Sequence, residues 1–261
     1  MARSSGTMTR MSASTSSPGP AQHEDHGGVR PSPRTASDAV VEHLEELIFG
    51  GSYDAGDSLP SESEMSAELG VSRLTVREGV RSLAARGLVK VSHGRRPVVA
   101  RQNASQLRDF FSSSVRRDAR GLLDLLEVRL AIEVHAAELA ARHATRAEMD
   151  GLEAALDAMR AAAADGAAFN AADLRFHSAI AAASANRMIG LLVEGMEEPL
   201  HSSRMQSLRG YLQGTPDMSD LIEEHRLVFE AIAAHDAAGA AQAMRKHLAT
   251  TRRDLLRAFS S

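Results

Sequence analysis

The 261-residue chain contains no cysteine. That absence excludes disulfide staples, thiolate metal sites and cysteine nucleophiles, and it fits a reducing compartment. Aromatic residues make up only 3% of the sequence, and alanine is abundant in the second half. This pairing favours helices packed through small side chains over a β-rich core. No apolar run approaches the roughly 20 residues that cross a bilayer. The N-terminus also lacks the apolar core of a secretory signal, so a cytoplasmic location with no membrane partner is expected.

Positive charge is missing from one region and concentrated in the next. Ser37 to Ser72 holds nine Asp or Glu and no Lys or Arg. From Arg73 to Arg101 the balance inverts: Arg73, Arg77, Arg81, Arg86, Lys90, Arg95, Arg96 and Arg101 face the single acid Glu78. The formal net charge is only −4, so a basic block stands out as the footprint of a phosphate-backbone partner. A solvated helix face would explain the charge alone. The order of the surrounding elements has to separate the two readings.

Residues 1–36 are rich in Ser, Thr, Pro and Gly without apolar periodicity, and they are expected to be a disordered tail. A first domain follows over 37–101. Asp38 to Phe49 has helical periodicity through Val40, Val41, Leu44, Leu47 and Ile48. Gly50 to Leu59 is a turn-rich loop. Ser61 and Glu64 have capping-box spacing at the start of a second helix, which Gly70 ends. Ser72 caps a third helix that runs to Arg86 and stops at Gly87. Leu88–Val91 and Pro97–Ala100 then form a hairpin around His93 and Gly94. Three helices and a hairpin in about sixty residues make a winged helix-turn-helix.

After a short link the chain reads as helices over 106–116, 121–143, 146–164, 167–184, 187–207, 219–235 and 237–259. Thr145 and Glu148 form a second capping-box pair. Pro199 is expected to kink or break its helix, and Leu208 to Met218 is expected to be a loop. The predicted fold is therefore mainly α, an N-terminal winged helix-turn-helix joined to a C-terminal antiparallel bundle of six or seven helices spanning 106–259.

In the third helix, Val76, Val80 and Leu83 form an inward stripe, while Arg73, Arg77 and Arg81 form a cationic one. A helix of this kind packs on its domain and offers guanidiniums to a groove. Its N-terminal residues Arg73, Thr75 and Arg77 are best placed to reach base edges. His93 and Gly94 at the wing tip suit the adjacent minor groove. The strings Leu59-Pro60-Ser61-Glu62-Ser63-Glu64-Met65, Leu69-Gly70-Val71-Ser72-Arg73-Leu74-Thr75-Val76-Arg77-Glu78 and Leu83-Ala84-Ala85-Arg86-Gly87-Leu88-Val89 resemble the GntR family of bacterial regulators. The resemblance implies that Arg73, Thr75, Arg77, His93 and Gly94 contact DNA. One position departs, since Ser63 stands where the family usually carries an operator-contacting Arg.

In the second half, Asp173 and His177 lie one turn apart on a stripe with Phe169 and Ile180. His225 shares a face with Leu221, Val228 and Ile232, and His247 with Ala240, Met244 and Leu255. A single inward His usually bonds a backbone carbonyl. Three His and one Asp from three helices are costly to bury separately, and one divalent cation would satisfy all four. Imidazole and carboxylate donors suit zinc first, with nickel, manganese or iron as alternatives.

This half resembles the FCD ligand-binding domain of the fatty-acid-regulator-like GntR branch. The resemblance rests on Leu126-Glu127-Val128-Arg129, Asp173-Leu174-Arg175-Phe176-His177, Ala185-Asn186, Glu224-His225-Arg226 and Met244-Arg245-Lys246-His247-Leu248. It implies a divalent metal at Asp173, His177, His225 and His247, and a small carboxylate effector in preference to a long acyl chain. Arg129, inward beside Leu122, Leu125, Leu126 and Ile132, is the candidate partner for that carboxylate. An internal pair with Glu127, Glu133 or Asp173 is the competing reading. Asn186 either caps the helix that follows or donates to the ligand, and the cap is favoured.

The expected protein is a homodimeric transcriptional repressor, not an enzyme, that binds operator DNA under effector control. The alternatives are a regulator whose metal is structural or is itself the signal, and a metal-dependent hydrolase fused to a DNA-binding module.

Overall fold

A computed structural model describes residues 35–117, 120–214 and 218–259. The predicted tail lies outside these residues except at its end, where helix α1 (Ala36–Phe49) already begins. Helices α2 (Glu62–Leu69) and α3 (Arg73–Ala85) follow. The Ser61 hydroxyl accepts from the Glu64 N–H at 3.2 Å, and the Ser61 N–H donates to Glu64 Oε2 at 2.7 Å, which completes the capping box. Gly70 takes φ of 66°, a left-handed value that reverses the chain at little steric cost. Ser72 then caps α3 by accepting from the Thr75 N–H at 3.1 Å.

Val76, Val80 and Leu83 are buried as their spacing requires. They join Val40, Leu44, Leu59, Met65, Val89 and Val99 in one small core. The wing is shorter than its apolar residues suggest: β1 (Val89–Lys90) pairs antiparallel with β2 (Val98–Val99). The end of the predicted 50–59 loop is a correction. Ser58 bridges Val98, and the Val99 N–H donates to the Asp57 carbonyl at 2.9 Å, so this segment lies along β2 as a third strand-like edge. Gly and Asp hide it from a strand pattern, but burying Leu59 and Val99 together brings the backbones within bonding distance.

Seven helices make up the bundle among the described residues: α4 (Ser105–Arg117), α5 (Gly121–His143), α6 (Arg146–Ala161), α7 (Gly166–Ala183), α8 (Arg187–Gly214), α9 (Ser219–Ala233) and α10 (Ala237–Phe259). Helix α5 packs against α4, α7, α8, α9 and α10. Its Ala136, Ala137, Ala140 and Ala141, with Ala172 in α7 and Ala240 in α10, are almost wholly buried. Small side chains at these contacts let helix axes approach closely. The Thr145–Glu148 capping box at the start of α6 is also present.

Helix α8 differs from expectation twice. Pro199 lies inside it without ending it, and the predicted loop from Leu208 is helical as far as Gly214. An interior Pro removes one hydrogen bond, at a local cost of about 3 kcal/mol, but α8 is held along its length by α4, α5, α7 and α10. The inward stripe Leu200, Arg204, Leu208 and Tyr211 continues past the Pro and is buried throughout. That burial outweighs the glycines that suggested a loop. Residues 215–217, the remainder of that loop apart from Met218, lie outside the described residues.

The DNA-binding domain depends on a close approach of α1 and α3. A Cβ at Gly79 would stand 2.8 Å from Val40 Cγ1 and 3.3 Å from the Ser37 carbonyl oxygen. Gly79→Val is expected to lower the stability of this domain by about 1–3 kcal/mol through overpacking, read as a lower denaturation midpoint by circular dichroism. An unchanged midpoint would mean that the α1–α3 contact is loose.

Candidate metal centre, anion cavity and DNA-binding face

Helices α7, α9 and α10 bring Asp173, His177, His225 and His247 together. All four are buried, and one ligand atom from each lies within 4.8 Å of the others. The acceptors behind the rings determine which nitrogens face the centre. His225 Nδ1 is 2.7 Å from the Leu221 carbonyl, which can only accept, so this nitrogen carries the proton. His177 Nδ1 is 2.5 Å from Glu133 Oε2, a close contact poorly aligned for a hydrogen bond. His247 Nδ1 is 3.3 Å from Glu224 Oε2, and the other Glu224 oxygen accepts from the Thr250 hydroxyl at 2.9 Å.

With each Nδ1 turned outward, each Nε2 turns inward. The Nε2 atoms of His177 and His247 are buried without a hydrogen-bond partner. His225 Nε2 lies 2.9 Å from Asp173 Oδ1, and His177 Nε2 lies 3.5 Å from the same oxygen. A lone pair facing a carboxylate oxygen at 2.9 Å calls for a shared proton or a cation between them. The three-nitrogen, one-oxygen set therefore fits a divalent metal in donor chemistry and in its unmet polar atoms.

Charge around the cluster is finely balanced. Burial pushes the Asp173 carboxyl up, but His177, Arg204 and the His225 hydrogen bond outweigh it and hold the group well below its ordinary value. Glu133 is likewise raised by burial and lowered further by Arg129, His177 and Arg204. His247 is held well below the ordinary imidazole value by burial and by the neighbouring His225 and His177, which keeps it in the neutral form that ligates metals.

A cavity of about 40 Å³ adjoins the cluster, with Arg129, Arg204, Asp173, His247 and Leu208 in its wall. Arg129 is 1% exposed and donates through Nε to Glu133 Oε1 at 2.6 Å, so of the three predicted internal partners it takes Glu133. Its Nη2 still has no hydrogen-bond partner. Arg204 was not singled out by its sequence context. Its Nε lies 3.3 Å from Asp173 Oδ2 without hydrogen-bond alignment, and its Nη1 has no hydrogen-bond partner. Burial, and then the neighbouring Arg129, lower the Arg204 guanidinium to about 10. Its spacing from Leu200 and Leu208 is the signal that could have found it. Asn186 lies outside this cavity. Its Oδ1 accepts from the Met188 N–H at 3.0 Å, which makes it the cap of α8.

On the other domain, Arg73 and Arg77 are exposed and Thr75 is half-buried on the first turns of α3, while His93 and Gly94 form the tip of the wing. Gly94 has φ of 69° in a turn closed by the Arg95 N–H on the Ser92 carbonyl. The preceding acidic stretch folds back onto these cations. Arg77 Nη2 donates to Glu62 Oε2 at 2.6 Å and Arg96 Nη2 to Glu64 Oε1 at 2.7 Å, while Arg86 pairs with Glu45. Leu74, also missed from sequence, is 62% exposed between Arg73 and Thr75. Among the described residues, no helix is long and apolar enough to cross a membrane.

Residues 36–99 match the bacterial regulatory proteins of the gntR family, and residues 124–250 match the FCD domain. A protein of Escherichia coli (strain K12) named for regulation of the L-lactate dehydrogenase operon is 34% identical over 223 residues, 83% of this chain and 84% of that protein. The HTH-type transcriptional regulator LutR of Bacillus subtilis (strain 168) is 31% identical, over 77% of this chain and 93% of its own length. The solved structure of Streptococcus agalactiae GntR superposes with a TM-score of 0.61 at 28% identity, over 83% of this chain and 99% of that one. Membership of a regulator family also sets aside the fused hydrolase. The chain belongs to the GntR family, and it is a DNA-binding transcriptional regulator of the type that carries an FCD domain.

Proposed function

We propose that the protein is a dimeric, metal-containing repressor that leaves its operator when a small organic acid enters the cavity beside the metal. The observation that carries this reading is the pair of buried guanidiniums, Arg129 and Arg204, each with donors that have no hydrogen-bond partner, in the wall of a cavity shared with Asp173 and His247. Buried cations with unmet donors select an anion, and a carboxylate matches guanidinium geometry. The cavity is small, about 40 Å³, which favours a short acid over a long acyl chain. One relative is named for the L-lactate dehydrogenase operon, in keeping with a short acid.

Asp173, His177, His225 and His247 would hold the divalent ion, with zinc the first candidate and nickel, manganese or iron the others. When bound, the ion supplies a fixed Lewis-acidic charge that attracts carboxylate oxygens. Arg129 and Arg204 orient the acid, and the buried Leu208 wall keeps bulk water from competing for it. On DNA, Arg73, Thr75 and Arg77 would read the major groove, with Leu74 available to a thymine methyl, while His93 and Gly94 enter the minor groove. Two copies would engage two half-sites, as operator symmetry favours. The acid must bind the DNA-released arrangement more tightly than the DNA-bound one, because only differential affinity shifts the equilibrium.

Zinc-loaded and chelator-stripped protein, melted with acetate, L-lactate, malonate and citrate in turn, tests the effector half. At least one acid is expected to raise the Tm of the loaded form and to act much less on the stripped form. A flat panel, with no change on stripping, would leave the family-level regulator and remove the metal-anchored effector. For the DNA half, Arg77→Ala is expected to weaken specific binding by about 1–3 kcal/mol, read in a titration of duplexes selected by the unaltered protein. Unchanged specific binding would remove Arg77 from the base-reading set.

A further inference from the structure

Glu133 is 2% exposed and sits between the two sites just described. Through Oε1 it accepts from Arg129 Nε at 2.6 Å, and its Oε2 is 2.5 Å from His177 Nδ1. Arg129 lies in the wall of the cavity and its Nη2 has no hydrogen-bond partner, while His177 belongs to the metal cluster and its Nε2 has none either. A single carboxylate therefore stands behind one residue of each site. Glu224, by contrast, stands behind His247 and Thr250, with its carboxyl pushed up by burial.

We infer that Glu133 is a positioning residue shared by the two sites, so that metal and organic acid fill them cooperatively. This rests on the metal-and-acid reading above and adds the element that couples its two parts. An acid that takes up Arg129 draws guanidinium charge away from Glu133. The carboxylate then interacts more fully with the Nδ1 proton of His177, which raises the basicity of Nε2 towards the metal. By linkage, the metal must raise affinity for the acid by the same factor. A glutamine in this place has one acceptor end and one donor end. It can serve Arg129 or His177, but not both.

The test measures zinc affinity by chelator competition, with and without acetate, L-lactate or malonate, for the unaltered protein, Glu133→Gln and Glu224→Gln. In the unaltered protein at least one of these acids is expected to tighten zinc binding by about fivefold or more. Both variants are expected to bind zinc about 10–100-fold more weakly. The tightening should shrink in Glu133→Gln and persist in Glu224→Gln. Unaltered tightening in Glu133→Gln, or equal loss in both variants, overturns the inference while leaving the metal-and-acid reading in place. Absence of zinc binding by the unaltered protein overturns both. Should Glu133→Gln not fold, nitrogen NMR of the histidines in the unaltered protein decides the point. His177 is expected to carry its proton on Nδ1, and a proton on Nε2 overturns the inference.

Discussion

Two carboxylates and two guanidiniums are buried in an alanine-lined helix bundle, and burying them there depends on their being placed beside one another. Asp173, Glu133, Arg129 and Arg204 each lie 9% exposed or less. Alone, any of them would face a desolvation cost of several kcal/mol. Together they neutralise one another, and three imidazoles from α7, α9 and α10 complete the group. The pairing is incomplete, because both guanidiniums keep donors without a hydrogen-bond partner beside one cavity and the ligand atoms of Asp173 and the three imidazoles cluster within 4.8 Å. Bundles of this size are usually filled with apolar side chains. A polar centre that satisfies its own charges but leaves unmet atoms in two adjoining places has the chemistry of a receptor.

The DNA-binding domain handles charge by a different route. Its acids and its arginines come from separate stretches of the chain, and folding pairs part of each: Glu62 with Arg77, Glu64 with Arg96 and Glu45 with Arg86. These are exposed pairs, each worth little to stability. Their effect is on presentation. Glu62 engages the Arg77 guanidinium on the face of α3, and the phosphate backbone of a duplex competes with a carboxylate that water already screens. The small apolar core beneath, from Val40 to Val99, joins α3 to α1 and to the wing.

Much of this was legible in the sequence, and the particular residues show why. Local rules sufficed where one segment carries its own signal: the Ser61–Glu64 and Thr145–Glu148 boxes, the stripe of Val76, Val80 and Leu83, and the Asn186 cap all form. They failed in α8, where Pro199, Gly210 and Gly214 weigh against helix locally and packing against four other helices decides for it. They failed again at Ser58, whose strand-like pairing has no apolar alternation to announce it. At the site, Asp173, His177, His225 and His247 could be named because inward polar residues break an apolar stripe. Arg204 breaks one too, but it lay at the end of a segment read as running into a loop, and Glu133 was only one of three acids within reach of Arg129.

What the amino-acid sequence determined by itself was therefore the set of elements, the family, and the four residues able to share a metal, since each depends on spacing within a helix or on a contiguous string. What only the tertiary structure decided was the pairing: which acid holds Arg129, which nitrogen of each imidazole faces inward, and that Arg204 joins Arg129 at the same cavity. Those choices rest on distances between side chains from α5, α7, α8, α9 and α10. Helical periodicity says which way a side chain faces but not which residue of another helix it will meet.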